Sequence, residues 1–199
     1  MRGMAALVGL ALLAGLATAQ ERIDPEEAQK FAKIFVEHAA KVGDLQLKLE
    51  PNADKPYGLR AGQVGTVVIP DKRLSEEAIQ KAGKEVTPVG QLWVRNMTAV
   101  VKDQPVGNDR LRIVTVTAND KDHPLPLFLL GVRKQADGVL ELVIYAKDKE
   151  PLLALPLQKA EVRQEMPIEL EGKGEGGRGT LTMNVLGKYQ AQLPMAKQE

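Results

Sequence analysis

The stretch that most constrains the fold is Val139 to Ala146, Val-Leu-Glu-Leu-Val-Ile-Tyr-Ala. It is dense in β-branched, aromatic and aliphatic residues. Asp137-Gly138 opens it and Lys147-Asp148-Lys149-Glu150-Pro151 closes it, so it reads as a strand with firm ends. The run Leu125 to Arg133 precedes it across the turn-rich segment Lys134 to Gly138. A connection this short favours an antiparallel hairpin. Placing Arg133 opposite Val139 puts Phe128, Leu130 and Val132 on one apolar face with Leu140, Leu142 and Ile144. The other face carries Leu127, Leu129, Gly131, Arg133, Val139, Glu141, Val143 and Tyr145. That mixed face is too apolar to be bare, and a slip of one residue would exchange the two sets.

Strand-like runs at Leu92 to Val101 and Leu111 to Ala118 extend the pattern into a four-stranded meander over 92–146. A second hairpin spans 165–186. Met166, Ile168 and Leu170 alternate with glutamates, then Leu181, Met183 and Val185 alternate with Thr and Asn, and Glu171 falls opposite Arg178. A short strand at Tyr189 to Leu193 follows, and the tail Met195 to Glu199 reads as frayed.

Upstream, Asp24-Pro25-Glu26-Glu27 has the cap, the first-position proline and the acidic residue of a helix start. Ala28, Phe31, Ile34, Phe35, His38 and Val42 then recur at helical spacing, giving an amphipathic helix over 24–42 that suits the mixed sheet face. Leu45 to Leu49 alternates like a strand. Pro51 to Gln63 reads as a loop, Val64 to Ile69 as a strand, and Ser75-Glu76-Glu77 starts a short second helix ending near Ala82. The fold class is therefore mostly β: an antiparallel two-sheet sandwich or barrel-like domain with an N-terminal amphipathic helix and a short second helix.

Residues 1–19 have the form of a signal peptide. Arg2 precedes an apolar run from Met4 to Leu16, and Ala17-Thr18-Ala19 fits a small-residue cleavage site. The expected mature chain, 20–199, is one domain located in the periplasm or secreted. The 199 residues hold 27 basic and 26 acidic side chains and no cysteine. The balanced charge gives no footprint for nucleic acid. The lack of cysteine excludes disulfides, thiol catalysis and zinc–thiolate sites. No membrane span is expected after the leader is removed.

Motifs that carry chemistry are few. Gly172-Lys173-Gly174-Glu175-Gly176-Gly177 fits the glycine spacing of a dinucleotide loop, but it joins two strands, where such a loop leads into a helix. It reads as a hairpin turn. Ser75 is the only serine and sits where a helix cap belongs. Asn119, Asp120, Asp122 and His123 place an amide, two carboxylates and an imidazole within five residues, a candidate cation site that Lys121 interrupts. His38 reads as a residue at the core edge and Trp93 as a core residue. Arg133, Glu141 and Tyr145 are polar groups converging on an apolar face, the pattern of a ligand site. The alternative there is an Arg–Glu cross-strand pair.

No cofactor is indicated. The leading functional expectation is an exported, non-enzymatic module that binds an envelope or secreted protein partner or takes a structural part in the envelope. The alternatives are a carboxylate- or cation-dependent hydrolase and a small-ligand carrier with an enclosed β-cavity.

Overall fold

The computed structural model describes residues 20–118 and 120–198. In chain order the elements are β1 (Glu21–Arg22), α1 (Pro25–Ala40), β2 (Tyr57–Ala61), β3 (Val64–Pro70), α2 (Glu76–Gln80), β4 (Thr87–Arg95), β5 (Met97–Val101) and β6 (Gln104–Pro105). Then come β7 (Ile113–Ala118), β8 (Lys121–Lys134), β9 (Leu140–Tyr145), β10 (Leu153–Pro156), β11 (Gln158–Lys159), β12 (Ile168–Glu175), β13 (Arg178–Val185) and β14 (Tyr189–Lys197). They form two antiparallel sheets. One runs β1-β2-β3-β4-β8-β9-β10, with β7 also on β8. The other runs β12-β13-β14-β5-β6, with β11 on β14. Among the described residues neither sheet closes on itself, so the fold is an open sandwich rather than a barrel.

The inner faces of both sheets meet in one core. Phe128, Leu130, Val132, Leu142 and Ile144 from the first sheet pack against Ile168, Leu170, Leu181, Met183, Val185 and Leu193 from the second. These inward sets are the alternating apolar positions read from the sequence. The hairpin register differs, however. Arg133 lies opposite Glu141, two residues from the expected partner Val139, which is exposed. A shift of two preserves the faces, because strand side chains alternate with a period of two.

The mixed outer face of the first sheet is covered by α1, giving a third layer. Ala28, Ala32, Phe35 and Ala39 pack on Val67, Ile69, Trp93, Leu127, Leu129, Val143 and Tyr145. The centre of the helix face is thus a line of alanines, which lets backbone and sheet approach closely. Phe31, Ile34 and Val42 flank it and are only partly buried. Asp24 caps the helix as expected, its Oδ1 accepting from the Glu26 and Glu27 backbone N–H groups.

Four expectations are corrected. Leu45 to Leu49 is not a strand. Leu47 is buried under the helix layer, but the segment is held by side chains. The Gln46 amide donates to the carbonyls of Lys147 and Asp148 at 3.0 and 2.6 Å, and Arg73 donates to the Lys48 carbonyl at 2.7 Å. The expected loop 51–63 contains β2, which pairs with β3. The expected run Leu92 to Val101 is two strands. Asn96 takes a left-handed conformation with φ 56° and turns the chain from the first sheet (β4) into the second (β5). Its side chain donates to the Gln63 carbonyl at 2.9 Å and holds that corner. Consequently β4 pairs with β8 and not with β7, so the order across 92–146 is not a simple meander. Finally, the tail is not frayed. β14 runs to Lys197, pairs with β5, and buries Met195 and Ala196.

Candidate functional site

Arg133, Glu141 and Tyr145 do share the outer face of the first sheet. Arg133 Nε donates to Glu141 Oε2 at 3.0 Å, and the Gln135 amide donates to Glu141 Oε1. Both oxygens of the carboxylate are therefore engaged, and the Glu141 side chain is only 11% exposed. Tyr145 is buried against Val143, Leu129 and the helix layer. Burial pushes its hydroxyl pKa up, with Arg133 pulling the other way and Glu150 adding to the rise. Arg133 and Glu141 thus form an ion pair on the same face as the buried ring of Tyr145.

The expected cation loop is a tight hairpin turn. Ala118 pairs with Lys121, and Asp120, just before Lys121, has φ 57°. Asn119 lies outside the described residues. Asp122 Oδ1 accepts from the Thr117 hydroxyl at 2.7 Å, and His123, the next residue of β8, projects to the opposite face. Among the described residues no three His, Asp or Glu side chains gather as a metal-ligand group.

Ser75 caps α2, its Oγ accepting from the Ala78 N–H at 3.1 Å. His38 ties α1 to β7. Its Nε2 accepts from the Thr117 N–H at 3.2 Å, which leaves the proton on Nδ1, 3.1 Å from the Ile34 carbonyl. Trp93 is in the core, stacked on Phe35 with ring centroids 4.7 Å apart.

The glycine-rich segment is a hairpin connection, but a tighter one than the sequence suggested. Gly176 and Gly177 alone form the turn, with φ 62° and 82°. This is the two-residue geometry that needs positive φ at both positions. Pairing starts at Glu175–Arg178, so Glu171 faces Thr182 and not Arg178. The register decides which glycines point inward. Gly172 lies opposite Leu181, and Gly174 opposite Gly179, which itself lies opposite Met195. Leu181 and Met195 are core residues, so Gly172, Gly174 and Gly179 also face the space between the sheets. The two opposed glycines bring the strands very close. A Cβ on Gly174 would sit 2.5 Å from the Arg178 carbonyl oxygen, and one on Gly179 would sit 2.5 Å from that of Lys173.

Bare backbone at Gly174 and Gly179 leaves the sandwich unfilled at this end. The result is a cleft of about 830 Å³ between the hairpin and the β2–β3 pair. Its inward side chains are Leu59, Ala61, Val64, Met97, Leu181 and Met195. Thr66 is the polar exception on this wall. It lies opposite Leu59 and Val94, on the core side of β3, and is 6% exposed. Its hydroxyl has no hydrogen-bond partner among the described residues. At the rim Lys197, two residues after Met195, faces inward, while Lys173, Glu175 and Arg178 alternate to the outer face of the hairpin. Gln20 reaches across to the Gly172 N–H at 2.8 Å, its side chain covering the inward side of that glycine. Arg60 is also at the rim but is engaged by Glu21 and Glu27.

Comparisons of this chain with protein-family models, curated proteins and solved structures return no match.

Proposed function

We propose that this protein is an exported, non-enzymatic binding module that receives a small ligand in the cleft between its sheets. The reading combines the expectation of a binding module with that of a small-ligand carrier, and relocates the site from the Arg133 face to the sandwich mouth. One observation carries it: a buried, unpartnered hydroxyl, Thr66, in an apolar cleft of a size typical of ligand sites. An unmade hydrogen bond in such a place costs free energy, and a ligand oxygen or nitrogen would supply the partner. The carboxylate-hydrolase alternative gains no support from Glu141, whose oxygens are both engaged. Export rests on the leader-like composition of residues 1–19, and an intact mass beginning near Gln20 from a secreting host is the check.

The test is thermal denaturation of the purified protein against a chemically diverse set of small amphiphiles and metabolites. Members that occupy the cleft raise the melting temperature in proportion to the logarithm of concentration above their Kd. Thr66→Val removes the orphaned hydroxyl, so its ligand-free melting temperature is unchanged or higher while the ligand-induced shift shrinks. If no member stabilises the wild type, or if Thr66→Val unfolds the free protein, the reading is wrong.

A further inference from the structure

The polarity of the cleft restricts what can enter it, and the restriction has two ends. The walls between rim and floor present aliphatic and thioether side chains on one side and bare glycine at Gly174 and Gly179 on the other, with the Gln20 amide lying over Gly172. A polar middle section would be desolvated along Gly174 and Gly179 without compensation. The floor offers a hydroxyl that can both donate and accept. At the rim one cation, Lys197, faces inward, since Lys173, Glu175 and Arg178 alternate to the outer face of the hairpin. Among the described residues Lys197 forms no ion pair, and Arg178 donates to the Asp103 carbonyl at 3.3 Å. Lys197 is the one whose position in the ladder, two residues after the inward-facing Met195, aims it at the mouth.

From Leu181 to Gly177 the hairpin wall is about 13 Å long at ~3.3 Å per residue. That length suits an extended aliphatic chain. The bare wall removes the side chains that would otherwise cross the gap of ~10 Å between packed sheets.

We infer that the cleft binds a free, linear long-chain carboxylate that carries an oxygen function at its far end. The carboxylate lies at Lys197, the methylene chain runs along Gly174 and Gly179 beside the Gln20 amide, and the distal hydroxyl or carbonyl meets Thr66. The inference rests on the binding reading above and names the ligand class for the same site.

Isothermal titration of the purified protein with four probes separates its parts: ω-hydroxydodecanoate, dodecanoate, the neutral dodecane-1,12-diol and the cationic dodecyltrimethylammonium. ω-Hydroxydodecanoate is expected to bind most tightly, about five- to tenfold better than dodecanoate, the worth of one neutral hydrogen bond. Thr66→Val abolishes that preference and leaves dodecanoate binding unchanged. Lys197→Met weakens both carboxylates by roughly three- to fivefold, as for a partly exposed ion pair, and leaves the diol unchanged. Equal binding of anionic, neutral and cationic probes would overturn the assignment of the head group. Equal binding of dodecanoate and its ω-hydroxy derivative would overturn the role given to Thr66. If no linear amphiphile binds but other small molecules stabilise the protein, the ligand class is wrong and the binding module stands. If nothing binds, both fail. Retention on anionic vesicles without binding of the free acids would assign Lys197 and the outer-face cations of the hairpin to a membrane surface and overturn the inference.

Discussion

Trp93→Ala is expected to destabilise the protein by about 3–5 kcal/mol, the range for removing a large buried aromatic side chain. The indole is 1% exposed and bridges two layers. One face stacks on Phe35 of α1, at an interplanar angle of 23°. Its Nε1–H donates to Gln91 Oε1 at 3.1 Å, and Gln91 is itself 2% exposed. Truncation therefore opens a cavity under the helix and also orphans a buried amide oxygen, two costs that add. Trp93→Phe removes the donor while keeping most of the buried volume. It keeps a six-membered ring for Phe35 and loses the donor together with a smaller part of the buried volume, so about 1–3 kcal/mol is expected. Urea denaturation of both variants measures the difference. Phe35→Ala in the wild-type background should loosen α1, visible as faster amide exchange at helix residues and at the Thr117 N–H bonded to His38. Equal losses for the alanine and phenylalanine variants at Trp93 would contradict this division.

Asp71→Ala is expected to cost about 3 kcal/mol, and the loss should be pH-dependent. The Asp71 side chain is fully buried. Its oxygens accept from the Glu50 N–H at 2.7 Å, the Arg73 N–H at 2.9 Å and the Arg73 guanidinium at 2.9 and 3.0 Å. These contacts fasten the crossing segment 45–50 to the end of β3. Burial is the largest single influence on the carboxyl and acts upward. The Arg73 guanidinium and the two backbone donors together outweigh it and hold the pKa below the ordinary aspartate value of 3.8. The folded state thus binds the proton more weakly than the unfolded state does. The stabilisation is fully present above pH 3.8 and is lost as pH falls through the lower folded value. Asp71→Asn removes this proton linkage with little change of volume. The stability gap between wild type and Asp71→Asn is therefore widest near neutrality and narrows below pH 3.8, because other carboxylates cancel in the comparison. A gap that stays constant into acid would show that the charge contributes nothing.

Much of this architecture is written in local pattern. The alternation at 125–146 and 165–186 specifies which side chains face inward, since the pleat allows only two choices. It does not specify register to within two residues, which is why Arg133 faces Glu141 and not Val139. Alanines 28, 32 and 39 were weak as a hydrophobic signal, yet their small size makes them the centre of the helix contact. Leu45 to Leu49 has a strand's period without a strand's ladder, because Gln46 and Arg73 supply its backbone anchorage from side chains. β2 was obscured by Gly58, which the fold needs. A Cβ there would lie 2.8 Å from Ile23 Cδ1.

The candidate site was the least legible part. Arg133, Glu141 and Tyr145 do come to one face, but as a closed pair and a covered ring. The cleft depends on whether Gly172, Gly174 and Gly179 face inward, and on which residues of β3 face them. That is a property of pairing between segments a hundred residues apart. Thr66 was an ordinary member of a strand run until the register placed its hydroxyl on the core side.

The most direct test of the cleft as a ligand site is a ¹³C-methyl NMR titration of the methionines with ω-hydroxydodecanoate. Met97 and Met195 line the cleft. Met183 lies deeper in the core, and Met166 lies at the opposite end of the same hairpin. Saturable shifts at Met97 and Met195, with Met166 unmoved and Met183 nearly so, are the expected result. Shifts centred on Met166, or none at Met97 and Met195 at saturating probe, would contradict the assignment of the cleft.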